Sequence, residues 1–342
     1  PTPGSTPPPP CEPPPGHRTS STNLWRRTLG LRPLDWFDVH RHALAHAVKV
    51  AAENGLDGIG WQVAAAWAPY LDLRAHYDDW DDSHQAGLDC ARRAGSQRGE
   101  AIMLRNLGQL ALYRDDYATA EESLRIAYQL FEGLRDPQGL GMAALGRGTC
   151  GRVIDDEAGA LHWYHTALDH LVAAGDTHGE AAARNAIGGA LLQSNHTADA
   201  APWLKSAYEL SVEIGDHHRE AQVRRRIAVL KEQEGDRDAA VRELRTALNT
   251  LTGIGDDHCA SYVQRNLGEL LASRGELQAA RRMLVCALNV GHRLGDRRGE
   301  ALAAAQLGDL HHSMGHADSA RQYHRRARRA WPQVSPDAHA AR

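Results

Sequence analysis

Lysine is almost missing from this chain, as are phenylalanine and long apolar runs. It occurs only at Lys49, Lys205 and Lys231, so 36 of the 39 basic residues are arginine. Against 43 acidic residues these leave a net charge of −4, so no overall polycation exists to carry nonspecific binding to nucleic acid. No apolar stretch approaches the ~20 residues a membrane helix needs, and no hydrophobic signal segment opens the chain. A soluble, cytoplasmic protein is expected. Cys11, Cys90, Cys150, Cys259 and Cys286 are scattered, odd in number and without C-x-x-C spacing, which argues against a disulfide framework or zinc finger. Aromatic residues make up 6% of the chain, a poor supply for sheets. No G-x-x-x-x-G-K-[ST] loop is present to cradle a nucleotide phosphate.

What the chain does have is a period. Gly95, Gly175, Gly215, Gly255 and Gly295 stand at multiples of forty residues, four of them followed by aspartate, and Arg135 interrupts the row. Gly255-Asp256 reads as a helix stop and a helix start, with glycine in a left-handed C′ position and aspartate accepting the first free N–H groups. A first helix carries Leu107-Gly108, Ile187-Gly188, Ile227-Ala228, Leu267-Gly268 and Leu307-Gly308 in register. A second carries Ala120, Ala160, Ala200, Ala240, Ala280 and Ala320, then Ala127, Ala167, Ala207, Ala247, Ala287 and Ala327. The unit is a helical hairpin, and the chain an array of them.

Leu104, Leu107, Gly108, Ala111, Ala120, Leu124 and Ala127 follow the pattern of large, Leu-Gly, small, Ala, large and Ala that marks helix-crossing positions. On these residues the array resembles the tetratricopeptide repeat, although its unit is 40 residues long and Gly-Asp replaces the usual late proline. The predicted fold is all-α, a tetratricopeptide-like α-solenoid: a right-handed superhelix of helical hairpins with about fifteen helices. Side chains at 108 or 120 larger than those present would hold the paired helices apart.

Nine of the fifteen prolines fall in residues 1–32, which are expected to be a disordered linker, implying that something precedes them. Residues 33–94 read as an unpaired first helix, with Ala47 in phase with Gly87 and Ala127, followed by a degenerate repeat bearing Trp61, Trp67 and Trp80. These tryptophans are open to two readings, core filling or docking. Six regular repeats then occupy 95–334, with an arginine-rich final helix as a polar cap and a disordered tail at 335–342. Trp36-Phe37, Leu44, Ala47-Val48, Trp61, Ala65, Tyr70, Tyr77-Asp78-Asp79-Trp80, Gly99-Glu100-Ala101 and Asn106-Leu107-Gly108 resemble the repeat region of SARP/AfsR-type, NB-ARC (STAND) transcriptional regulators. The resemblance implies a C-terminal sensing or interaction module behind nucleotide-binding and DNA-binding domains. The alternative is a free-standing adaptor or peptide-pheromone receptor without a DNA-binding part.

No enzyme and no cofactor are expected. Gly146-Arg147-Gly148-Thr149-Cys150-Gly151 matches G-x-G-x-x-G, yet its register places it inside a helix rather than after a strand, so it predicts no dinucleotide site. Its glycines instead predict a loosened helix over 136–153. His76, Asp78, Asp79, Asp81, Asp82 and His84, and separately His311, His312 and His316, have ligand-like composition; turn and helix-end chemistry explains both more simply, and no metal site is assigned. The binding surface is expected in the concave groove, formed by the outward positions of the first helix of each pair. Candidates there are Arg105, Gln109, Asn185, Arg225, Arg265, Asn266 and Glu269. Arg225 and Arg265, beside Asn185 and Asn266, could clamp a carboxylate of a protein or peptide ligand, while Arg265 and Glu269 are spaced for a local i,i+4 ion pair. No direct contact with nucleic acid or membrane is expected.

Overall fold

The structure, a computed structural model, describes residues 33–331. The expected linker over 1–32 and tail over 335–342 lie outside the described residues. The described residues divide into two compact units, 33–44 and 45–331. Fifteen helices and no strand occur among the described residues. They are α1 (Pro33–Glu53), α2 (Asp57–Arg74), α3 (Tyr77–Arg93), α4 (Gln97–Tyr113), α5 (Tyr117–Gly133), α6 (Pro137–Val153), α7 (Glu157–Ala173) and α8 (Thr177–Gln193). After these come α9 (Thr197–Glu213), α10 (His217–Gln233), α11 (Arg237–Ile254), α12 (Asp257–Ser273), α13 (Leu277–Leu294), α14 (Arg297–Ser313) and α15 (Ala317–Ala330).

In the first unit, the described part of α1 stacks Trp36 on His40, whose Nδ1 lies 2.8 Å from the Trp36 carbonyl oxygen. The second unit is the array. Its turns fall every twenty residues, with a left-handed backbone at 55, 75, 95 and so on to 315. Nine of these positions are glycine; Ala75, Asp115, Arg135, Asp155 and Asn195 hold the same conformation without it. Arg135, which breaks the glycine row in sequence, therefore does not break it in backbone (φ 52°). At Gly255 the stop is a Schellman pair: Asp256 N–H donates to the Leu251 carbonyl at 3.0 Å and Gly255 N–H to that of Thr252 at 3.1 Å. The next helix starts at once, because the Asp256 side chain accepts the Cys259 N–H at 2.8 Å. Ser96, Asp116, Asp136, Asp156, Asp176, Asp216, Asp236 and Asp296 cap their helices in the same way.

The core runs along the seam between the paired helices. Ala120, Ala160, Ala200, Ala240 and Ala280 are all 0% exposed, so none of them has room for a larger side chain. A Cβ built on Gly108 would stand 2.7 Å from Leu124 Cγ and 3.3 Å from the Ala120 carbonyl oxygen, so the α4–α5 crossing depends on its absence. The G-x-G-x-x-G segment lies within α6, and its glycines serve the same purpose. Gly146 faces Leu124, Gly148 faces Tyr164, and Gly151 lies against the backbone of Ala160. Helix propensity is lost there, but close packing replaces it.

The tryptophans divide. Trp67 and Trp80 are buried in the core of the second unit, which is the core-filling reading, while Trp61 is half-buried against Gly99. Ala47 is exposed instead of joining the buried row of Gly87 and Ala127; Val48 and Ala51 are buried in its place. In a complete pair that side of the helix is covered by its own first helix, and no helix precedes α1 among the described residues.

Candidate binding groove

The first helices of the pairs also pack on one another: α2 on α4, α4 on α6, α6 on α8, α8 on α10 and α12 on α14. They therefore form the inner side of the array. A polar ladder pins this side. The second residue of α4, α6, α8, α10 and α12 reaches the capping aspartate of the next pair: Arg98 to Asp136 (3.1 Å), Gln138 to Asp176 (2.8 Å), His178 to Asp216 (2.9 Å), His218 to Asp256 (2.8 Å) and His258 to Asp296 (3.5 Å). Each aspartate thus holds its own helix start with one oxygen and the preceding repeat with the other. Burial would raise Asp256, but the bond from His218 and the Cys259 N–H outweigh it and hold the carboxyl below its usual range. Sequence reading missed the ladder, although its 38-residue offset is visible once helix starts are fixed.

The inner side curves far enough to meet itself. Arg74 Nη1 donates to the Gly255 carbonyl oxygen at 2.8 Å, Tyr77 Oη lies 3.4 Å from His258 Nε2, and Arg298 Nη1 lies 3.3 Å from Tyr117 Oη. Each of these partners is 181 residues from the other. The seam encloses Asp72, whose carboxyl burial pushes up against the opposing effects of Tyr113 and His258.

The seven sequence candidates separate into groups. Arg225 Nη1 reaches Asn266 Oδ1 at 3.5 Å, which brings those two together. Arg265 and Glu269 do not pair directly. Gln306 bridges them instead, its Oε1 3.3 Å from Arg265 Nε and its Nε2 donating to Glu269 at 2.8 Å. Asn185 is buried with its side-chain oxygen unpartnered, and its carbonyl oxygen accepts from Arg226. Arg105 bonds only its neighbour Asn106, and Gln109 is half-buried on the same helix; both lie away from the others. Arg226, which the sequence reading passed over, has its guanidinium in the space that a Cβ on Gly189 would take.

Electrostatically this face is unbalanced. Among the described residues, Arg105, Arg219, Arg225, Arg226 and Arg265 form no ion pair, and their partners are amide or carbonyl oxygens. Burial lowers the pKa of all five. Arg226 falls to about 9, because burial is reinforced by repulsion from Arg225 and Arg152. Arg219, Arg225, Arg226 and Arg265, half-buried cations satisfied only by neutral acceptors, are poised for an anion.

Residues 257–333, which cover α12 to α15, match the tetratricopeptide repeat family. These helices are tetratricopeptide repeats. The earlier tetratricopeptide-like pairs keep the same turn spacing and small-residue rows. Among solved structures, aspartyl phosphate phosphatase F from Bacillus subtilis is similar with a TM-score of 0.61 at 14% identity, over 84% of this chain and 73% of that one. A Rap protein complexed with competence and sporulation factor gives 0.57 at 12% identity, over 91% and 100%. A STAND protein with a tetratricopeptide repeat sensor, from Pyrococcus horikoshii, gives 0.56 at 12% identity, over 92% of this chain and 48% of that one. At these identities the likeness is one of fold. Compared with curated protein sequences, the chain matches none. No described helix is long and apolar enough to cross a membrane.

Proposed function

We propose that this chain is the signal-sensing, protein- or peptide-binding arm of a bacterial STAND/SARP-type transcriptional regulator, working in the cytoplasm behind nucleotide-binding and DNA-binding domains. The observation that carries the binding role is the group of inner-face arginines without carboxylate partners, Arg225, Arg226 and Arg265 above all. A peptide carboxylate, at a C-terminus or on an acidic side chain, supplies the bidentate acceptor that Asn266 and Gln306 only partly replace. The fold likeness to a STAND protein whose sensor is made of tetratricopeptide repeats supports the regulator setting. A second reading, a free-standing peptide receptor, is favoured by the fold likeness to a Rap protein complexed with competence and sporulation factor.

The test of the clamp is fluorescence anisotropy with acidic peptides carrying a free C-terminus and their amidated counterparts. Binding should weaken at least tenfold in the Arg225→Glu, Arg265→Glu double variant, with the helical circular dichroism unchanged. Equal binding by the variant would remove the clamp. Reading the coding sequence upstream of Pro1 separates the regulator from the free-standing receptor.

A further inference from the structure

At one junction the repeat departs from its own rule. Where four other first helices have Gly99, Gly139, Gly179 and Gly299 as their third residue, α10 has Arg219 and α12 has Cys259. The packing of first helix on first helix is also loosest here, between α10 and α12. Into this gap project three donor atoms of different chemistry: His218 Nε2, Asp256 Oδ2 and Cys259 Sγ, all within 4.8 Å of one another. The nitrogen lies 2.8 Å from the carboxylate oxygen and 3.7 Å from the sulfur. No other group of three such residues converges among the described residues, and neither the His76–His84 stretch nor His311, His312 and His316 does so.

We propose that His218, Asp256 and Cys259 form a zinc-class cation site on the inner side of the array. Bonds of ~2.0–2.3 Å at tetrahedral angles place ligand atoms roughly 3.3–3.6 Å apart. The nitrogen–sulfur edge already fits, and the nitrogen–oxygen edge opens by about half an ångström. His218 has the freedom to move, since its side chain is 36% exposed, whereas Asp256 is fixed at 2% by its cap bond. One nitrogen, one oxygen and one sulfur suit zinc better than calcium or magnesium, which require oxygen. The carboxylate and a thiolate together neutralise a divalent ion, and binding releases the thiol proton to solvent. Gln222, with its carbonyl oxygen taken by Arg219, has its amide nitrogen 3.2 Å from His218 Nε2 and 3.6 Å from the sulfur; with the imidazole nitrogen on the ion, its N–H donates to Cys259 from outside the ligand set. Three protein ligands leave the fourth tetrahedral position to water.

The His218–Asp256 contact by itself is one step of the ladder and implies no ion; Cys259 is what sets this step apart. The experiment therefore turns on the sulfur. The full chain, stripped with chelator, is titrated with Co²⁺ and then Zn²⁺ while thiolate-to-cobalt charge-transfer absorption is followed. One equivalent of Co²⁺ should raise the band, micromolar Zn²⁺ should abolish it, and Cys259→Gly should lack it. That variant installs the residue found at the same place in four other repeats and is expected to stay folded. Cys286→Ser, at an exposed thiol, should keep the band. A band that survives Cys259→Gly, or binding only at millimolar metal as for an adventitious ion, would overturn the proposal.

Discussion

His84 offers a quantitative test of how burial acts in this array. The side chain is wholly buried on α3, with Nδ1 3.1 Å from the Trp80 carbonyl oxygen and Nε2 3.1 Å from the Asn106 amide. Burial disfavours the imidazolium, the Trp80 carbonyl opposes this only in part, and the weaker effects of Arg105 and Asp81 act in opposite directions, so the pKa falls from 6.5 to about 4. Between those values the unfolded chain binds a proton that the folded chain refuses. Stability therefore rises with pH across this window: the contribution is complete above pH 6.5 and lost as pH falls toward 4. The whole gap corresponds to about 3 kcal/mol, and about 2–3 kcal/mol of it is gone by pH ~4.5. Urea midpoints of wild type and His84→Gln at neutral pH and at pH ~4.5 isolate the effect, because all other titrating groups are common to both proteins. The variant should be destabilised at neutral pH by its lost packing, then gain on the wild type by about 2–3 kcal/mol at the acid value. An equal difference at both pH values would show that His84 titrates normally and that the burial argument is wrong.

Leu267→Ala, at a site 3% exposed, should cost ~2–5 kcal/mol in urea unfolding through the cavity it leaves. Gly291→Ala should lower the melting temperature despite the better helix propensity of alanine. Its Cβ would lie 2.8 Å from Glu300 N and 3.1 Å from Glu300 Cα, backbone that yields only if the ends of α13 and α14 separate, at a cost of about 1–3 kcal/mol. Arg135→Gly should do the reverse and stabilise by ~0.5–1 kcal/mol, since its left-handed φ of 52° strains any side chain; an unchanged or lower urea midpoint would contradict this.

The hairpins were legible because their determinants are local. Gly255-Asp256 states a stop and a start in two residues, and the forty-residue register carries the reading along the chain. The register also placed Arg225 beside Asn266. What it could not supply depended on neighbours. Ala47 is in phase yet exposed because no described helix covers its side of α1. Gln306, from the following repeat, comes between Arg265 and Glu269 and displaces the ion pair that α-helical spacing predicts. Arg226 is one residue from a candidate, but its direction depends on the space left by Gly189. Contacts spanning 181 residues depend on curvature accumulated over several hairpins, which no short window of sequence contains.

Stacked hairpins that touch only their neighbours unfold as a one-dimensional chain, so an end can fray while the middle holds. Where Arg74 meets Gly255 and Tyr77 meets His258, that description fails, because the loss of α12 also removes support from α2. The array behaves as a coil whose successive turns rest on each other. Loosening it at one point lowers the cost of loosening it at a site about four and a half repeats away, so a ligand that tightens the inner arginines would be felt at both edges of the seam.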